Sequence, residues 1–472
     1  MNEKRLSRRE FLQRAAGVGL GAAAAGMLGG CVVPAAPTPA GAPAPQATVA
    51  PPPAAKVSLV YWSEPRFQNV KGKEEQTKNS PSDYERLLAS DFMAQNPNVT
   101  IEAEALAWED LVTKVAAAIA AGTPPDVLKD YLGRSSKYAN QDLLEPLEGA
   151  IPQDVYNDFL PSLRNLYTIK GHLHALPVYF WITSMWGNAL PFKEANAEDK
   201  MPNPDGTWTP EQFTSALEAL AVPDKRWPLG LQFSSEQGDY TRLGFFWANG
   251  AVLYKEGDYS KTAFNSPEAV EALARLVEWN NAGYIVPGAT TIPLQDLDNA
   301  FYQGQVVMGG GNPGNYTLLE TAQKEGRVTV DWEPFYAVFP QKEGVKSAGL
   351  AAGPTGVMVF KQGEDAKRTA AVDFATFLVG PDLEKEYAIN SNQFPTRTSA
   401  GNPFEGDEVM SRYVEWSQKY GVEDMGLGSP AYAEVRVVMV PLLQAALLGK
   451  MTPEEALAEY EKQANEILAK YA

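Results

Sequence analysis

An α/β fold built as two doubly wound lobes is predicted by three observations. The chain has 472 residues, more than one hydrophobic core usually supports, so two lobes are expected. Strand and helix signals alternate from Val57 onward in the order β-α-β-α-β, the pattern of a parallel sheet covered by helices. A capping hydroxyl followed by proline then opens one helix after another.

An export address precedes the fold. Ser7-Arg8-Arg9-Glu10-Phe11-Leu12 is followed by an Ala/Gly run too short and too glycine-rich to span a bilayer, then by Leu28-Gly29-Gly30-Cys31. The pair Arg8 and Arg9 marks a bacterial Tat-type signal. Leu28 to Cys31 resembles the lipobox of bacterial lipoproteins, which implies that Cys31 is lipidated and becomes the first residue. Residues 1–31 are therefore read as the signal. Val32 to Ala55 holds eight prolines, nine alanines and no charge, so it cannot build a core and is expected to be a disordered linker. At polyproline spacing it would reach about 70 Å.

Charge and cysteine usage narrow the function classes. Removing the signal's net charge of +3 takes the chain from −18 to −21, which argues against nucleic acid as a partner and against adhesion to anionic lipid. With Cys31 the only cysteine, disulfide and thiol chemistry are excluded from the body. Only His172 and His174 supply imidazoles, and their alternation fits a strand or turn better than a metal centre, so no metal and no cofactor is expected. Aromatic residues are plentiful: ten Trp, twenty Tyr and nineteen Phe.

The elements follow in order. Val57 to Trp62 reads as the first strand. Ser82-Asp83-Tyr84-Glu85 reads as a capping box for a helix carrying Leu87, Leu88 and Phe92 and stopping at Asn96-Pro97. Val99, Ile101 and Ala103 alternate as a second strand, Glu109 to Ala121 is an amphipathic helix, and Asp126-Val127-Leu128 is a third strand. Thr209-Pro210, Ser266-Pro267 and Thr452-Pro453 open later helices. The polar segment Gln68 to Ser80 reads as a disordered surface loop or a lid.

Several marks then occur together in one order: Phe92-Met93-Ala94-Gln95-Asn96-Pro97, Ala120 to Val127, Leu143-Leu144-Glu145-Pro146-Leu147, Ala175-Leu176-Pro177 leading to Trp186-Gly187-Asn188, and Ala300 to Met308. On these the chain resembles, from Val57 to Ala472, the extracellular solute-binding proteins of ABC importers, in the large sugar-binding family that includes maltose-binding protein. The resemblance implies a periplasmic-binding-protein-like fold of two α/β lobes joined by crossing hinge strands. It sets one lobe at 57–178 plus 350–395 and the other at 179–349 plus 396–472. Crossings would lie near Pro177 to Ile182, Gly349 to Gly356 and Phe394 to Thr396.

The resemblance also implies the function and its partners. A monomer, lipid-anchored outside the cytoplasmic membrane, would capture a carbohydrate without turnover and present it to ABC permease subunits served by cytoplasmic ATPases. Sugar sites need aromatic plates beside charged or amide groups. Positions matched to the family give Glu64 and Arg66 after the first strand, and Asp130, Tyr131 and Arg134 after the third. They give Trp181 at the first crossing, where the maltose-binding member has a carboxylate. Trp247, Asn312, Tyr316 and Arg436 follow in the second lobe.

Two other classes compete. Gly309-Gly310-Gly311-Asn312-Pro313-Gly314 fits G-x-G-x-x-G after an apolar strand, as in a Tat-exported NAD(P)-dependent oxidoreductase, although Pro313 would occupy the phosphate turn. A secreted glycoside hydrolase needs only two carboxylates in an aromatic cleft, and 58 acidic residues supply such pairs without specificity.

Overall fold

Fourteen strands are described: β1 (Val57–Ser63), β2 (Val99–Ala105), β3 (Val127–Tyr131), β4 (Thr168–Ile169), β5 (His172–Leu173), β6 (Leu176–Ile182), β7 (Ser184–Asn188), β8 (Trp227–Gly230), β9 (Tyr254–Lys255), β10 (Asp258–Thr262), β11 (Val306–Gly311), β12 (Pro334–Ala337), β13 (Ala352–Val359) and β14 (Phe394–Pro395). The computed structural model describes residues 56–255 and 258–471. Arg8, Arg9, Cys31 and the linker lie outside the described residues. Six strands form one sheet in the order β14-β6-β13-β3-β1-β2, and four form another in the order β12-β7-β11-β8. No described helix is long and apolar enough to cross a membrane.

The expected parallel winding holds only in part. β1 runs parallel to β2 and β3, but β13 is antiparallel to β3 and to β6, so the sheet is mixed. In the second sheet β11 is parallel to β8 and antiparallel to β7. A strand that arrives from the other lobe needs no helical crossover to pair, so it can enter in the opposite direction.

The change of sheet also falls later than residue 178. β6 stays in the first sheet through Ile182, and the chain passes to the second at Thr183. Thr183 N donates to Ala351 O at 2.9 Å, and Glu423 N donates to Leu350 O at 2.8 Å, so three separate segments meet at this crossing. The last crossing is fixed by buried Thr396, whose hydroxyl donates to Pro177 O at 2.9 Å.

The helix starts are realised by local chemistry. Thr209 and Thr452 form capping boxes with Gln212 and Glu455, and Ser266 accepts from Ala269 N, at the heads of the helices Pro210–Leu220, Pro453–Leu468 and Pro267–Asn281. The first long helix begins earlier than expected. Ser80 and Asp83 form its capping box, Pro81 is its first residue, and it runs Pro81–Gln95. Glu85 is thereby released from capping and turns inward. It accepts from Lys129 Nζ at 2.8 Å, from Tyr61 OH at 2.7 Å and from Ser63 Oγ at 3.2 Å, and the pair with Lys129 is fully buried.

The segment Gln68 to Ser80 is neither a disordered loop nor a lid over the cleft. Val70 and Thr77 are buried, as is Phe67 just before it, Lys71 N donates to Asn390 Oδ1 at 2.7 Å, and Lys73 pairs with Glu386 at 2.8 Å. It is packed on the helix Pro381–Ser391. The apolar residues at 67 and 70 give it a buried face, which its lysine content hides at the level of composition.

On that helix Glu384 is fully buried, accepts from Thr396 N at 2.7 Å, and has its Oε1 within 2.6 Å of Thr396 Oγ1. Burial raises its pKa from 4.5 to about 8, with the hydrogen bonds from Thr396 and Arg397 opposing. A carboxyl raised on folding stabilises while it holds its proton. Its contribution is complete below about pH 4.5 and is lost as pH rises through about 8. Urea midpoints should therefore fall across this window, by up to about 1.4 kcal/mol per pH unit. Glu384→Gln should flatten the profile; an identical slope in the variant would assign it to other groups.

Candidate functional site

Two charged pairs line the end of the first sheet. After β1, Arg66 reaches Glu64 through Nε and Nη2, both at 3.4 Å, and Tyr179 OH donates to the same carboxylate. Burial raises the Glu64 pKa, and the Arg66 and Lys129 charges oppose that shift. From β3, Asp130 receives the Arg134 guanidinium, with Nε at 2.9 Å from Oδ2, and also Tyr131 N at 2.8 Å. The helix Leu132–Asn140 begins immediately after β3, which brings position 134 back over position 130.

The next residues close an aromatic cluster between the first sheet and the helices Asp239–Trp247 and Tyr432–Leu447. Tyr131 OH lies 3.2 Å from Tyr240 OH, and Tyr240 OH lies 3.4 Å from Tyr432 OH. The Trp181 ring meets Tyr240 edge-on, with centroids 4.7 Å apart. Trp181 rests on Gly353, its register partner in β13, and a Cβ there would stand inside the indole. Only glycine permits that approach. Burial, then the neighbouring Tyr240, raises the Tyr131 pKa, and burial followed by Tyr131 and Tyr240 raises that of Tyr432. The phenols thus stay protonated and can donate as well as accept.

Arg436 binds this cluster to a buried acid. Its Nε donates to Asp239 Oδ2 at 2.8 Å, its Nη2 to Glu236 O at 3.1 Å, and its guanidinium lies 5.0 Å from the Tyr432 ring centroid and 5.7 Å from that of Tyr240. Burial raises the Asp239 pKa against the pull of Arg436 and of Arg242, whose own pKa burial lowers to about 10. Asp239 Oδ1 is buried without a hydrogen-bond partner among the described residues.

The structure therefore brings Tyr131, Trp181 and Arg436 together, beside the pairs Glu64 with Arg66 and Asp130 with Arg134. Trp247 is not among them. It is 0% exposed, at the far end of the helix Asp239–Trp247 from Tyr240, and belongs to the core. No face of the indole is open for a sugar. Asn312 accepts from Gly314 N at 2.8 Å and helps start the helix Gly314–Lys324, while Tyr316 is 44% exposed. Neither meets the tyrosine cluster by a ring contact or side-chain hydrogen bond among the described residues. Nearby, Gly310 abuts Thr241, the neighbour of Tyr240.

Tyr240, Tyr432 and Asp239 were not foreseen from the sequence. Tyr432 stands four residues before Arg436 on the helix Tyr432–Leu447, so helical spacing places both on one face and could have found it. For Tyr240 no comparable local signal exists.

The G-x-G-x-x-G run has a packing explanation. Gly309, Gly310 and Gly311 lie inside β11, and side chains on them would collide with Phe301, Thr241 and Trp186. His172 Nδ1 lies 2.6 Å from Glu148, and no three metal-ligating side chains converge among the described residues.

Comparison with known proteins agrees with this architecture. The family model described as bacterial extracellular solute-binding protein matches residues 87–414. A maltotriose-binding protein of Pyrococcus abyssi is 23% identical over 379 residues, covering 75% of this chain and 76% of its own. An sn-glycerol-3-phosphate-binding periplasmic protein of Escherichia coli is 23% identical over 410 residues, covering 81% and 89%. Among solved structures, the cyclic alpha-maltosyl-1,6-maltose binding protein of Arthrobacter globiformis superposes with a TM-score of 0.70 at 22% identity, covering 88% of this chain and 99% of that one.

Proposed function

The chain belongs to the bacterial extracellular solute-binding protein family, and we propose that its solute is a neutral carbohydrate held between the two lobes. The observation that carries this reading is the grouping of Tyr131, Trp181, Tyr240 and Tyr432 around Arg436, with the guanidiniums of Arg66, Arg134 and Arg436 each matched to a carboxylate, while Arg242 is buried against the Gln232 and Ser235 carbonyls. Arg66 faces Glu64, Arg134 faces Asp130, and Arg436 faces Asp239. Aromatic faces suit the C–H surfaces of a sugar, and paired charges suit its hydroxyls, which donate and accept. A phosphate ester, the solute for which one relative is named, would need a cation that is not already neutralised. The name of the maltotriose-binding relative points the same way.

Ligand drawn between lobes acts by preferring the closed arrangement over the open one. The protein would carry its sugar, as a monomer, to ABC permease subunits in the membrane, tethered there by a lipid on Cys31. Neither turnover nor a cofactor enters this account.

Calorimetric titration of the purified protein against mono- and oligosaccharides, with glycerol phosphate and NAD(P) as controls, tests the solute class. A saturable response to one sugar class is expected, and a response only to the phosphate ester or to NAD(P) would overturn the reading. Trp181→Ala should weaken that binding by roughly 1–3 kcal/mol; unchanged affinity would return the indole to a packing role. For the anchor, Cys31→Ala should abolish labelling by a palmitate analogue and release the protein from cells. Retained labelling would refute the lipidation site.

A further inference from the structure

Thr183 stands where the chain leaves the first sheet, between β6 and β7, and is 3% exposed. Its amide donates to Ala351 O at 2.9 Å, and its hydroxyl accepts from Ala351 N at 3.2 Å while donating to Tyr240 O at 3.2 Å. A hydroxyl has one proton and two lone pairs, so it can hold both bonds at once. One side chain thus joins the first crossing, the second crossing and the helix that carries Tyr240. We infer that Thr183 is a positioning residue for the solute site, setting Tyr240 in place against Trp181. The inference rests on the reading of the tyrosine cluster as that site.

The head of this helix needs an outside tie. Tyr240 is the second residue of Asp239–Trp247, which begins with no capping side chain, so its first turn is held less firmly by the chain itself than the turns that follow. The middle is fixed by packing. One turn beyond Tyr240, Gly244 O lies so close to Gly349 that a Cβ there would stand 2.3 Å from it. The helix therefore lies along the second crossing, its middle on Gly349 and its head on Thr183. A carbonyl oxygen has two lone pairs, so Tyr240 O can take the Thr183 hydroxyl without giving up its place in the helix.

Arg436 ties the same head from within the second lobe, through Asp239 and Glu236 O. Thr183 supplies the tie from the crossing. The two fix Tyr240 from opposite directions: its ring stands 4.7 Å from that of Trp181 and its hydroxyl 3.2 Å from that of Tyr131. A head freed on the crossing side would carry the ring away from both, and a site loosened by about 1 Å binds less well.

Near-ultraviolet circular dichroism of the full-length purified protein tests this without any solute. A tryptophan and a tyrosine this close give a coupled signal that depends on their mutual angle. Thr183→Val, which keeps the size and removes the hydroxyl, should change the spectrum, and Thr183→Ser should restore it. In a Trp181→Phe background the change caused by Thr183→Val should vanish. Titration with maltotriose, the solute in the name of one relative, adds a functional readout: Thr183→Val should lose about fivefold in affinity and Thr183→Ser under about twofold. Should the valine variant fold poorly, Thr183→Cys keeps a weak donor of similar size and should show the same spectral change to a smaller degree. A Thr183→Val spectrum identical to that of the unaltered protein, or a change that survives Trp181→Phe, would overturn the proposal. Because the dichroism needs no sugar, it decides on Thr183 whether or not the sugar assignment holds.

Discussion

Arg436→Ala is expected to lower folding stability by about 2–4 kcal/mol and to weaken solute binding at the same time. The guanidinium is the hydrogen-bonded partner of the Asp239 carboxylate, which is almost wholly buried, and it also ties down Glu236 O and faces two tyrosine rings. Without it, a carboxylate whose pKa burial already raises is left with one less cation. Arg436→Lys should recover the charge but only part of the loss, since an ammonium cannot match both the fork and the stacking. Urea denaturation of the two variants distinguishes these terms. A loss below about 0.5 kcal/mol in the alanine variant would mean that Arg242 or a bound proton satisfies Asp239 instead.

The larger stability effect should come from Lys129→Met, about 3–5 kcal/mol. Lys129 and Glu85 form an ion pair with no solvent exposure, and Lys129 Nζ lies 4.9 Å from the Phe67 ring centroid and 5.1 Å from that of Tyr387. Methionine matches the stem but leaves Glu85 charged and buried with only Tyr61 and Ser63 as donors. The drop in the denaturation midpoint should therefore exceed that from loss of packing alone. A change under 1 kcal/mol would indicate that Glu85 takes up a proton at little cost. Since the Phe67 to Thr77 segment packs over this pair, the variant should also expose that segment to proteolysis.

Elements fixed by neighbours in the chain were legible. Thr209, Ser266 and Thr452 cap helices as their spacing requires, because a cap is satisfied within three residues. The capping box placed at Ser82 actually forms at Ser80, and the reason is tertiary: Glu85 is needed by Lys129, 44 residues away. Sheet direction was misjudged beyond the third strand for a similar cause, since β13 pairs with β3 and β6 through contacts that no local pattern encodes.

The candidate site divides along the same line. Asp130 and Arg134 sit four residues apart and meet across one turn. Tyr240 and Trp247 both lie on one helix, seven residues apart and so on nearly the same face, yet separated by about 10 Å along its axis. One end reaches the tyrosine cluster, the other the core. The sequence by itself determined the later helix starts and the family, because these depend on residues read a few positions at a time. Which aromatic rings face the cleft, where the chain changes sheets and how Arg436 finds Asp239 were decided only by the tertiary structure, because such pairings join distant residues, 197 positions apart for Arg436 and Asp239.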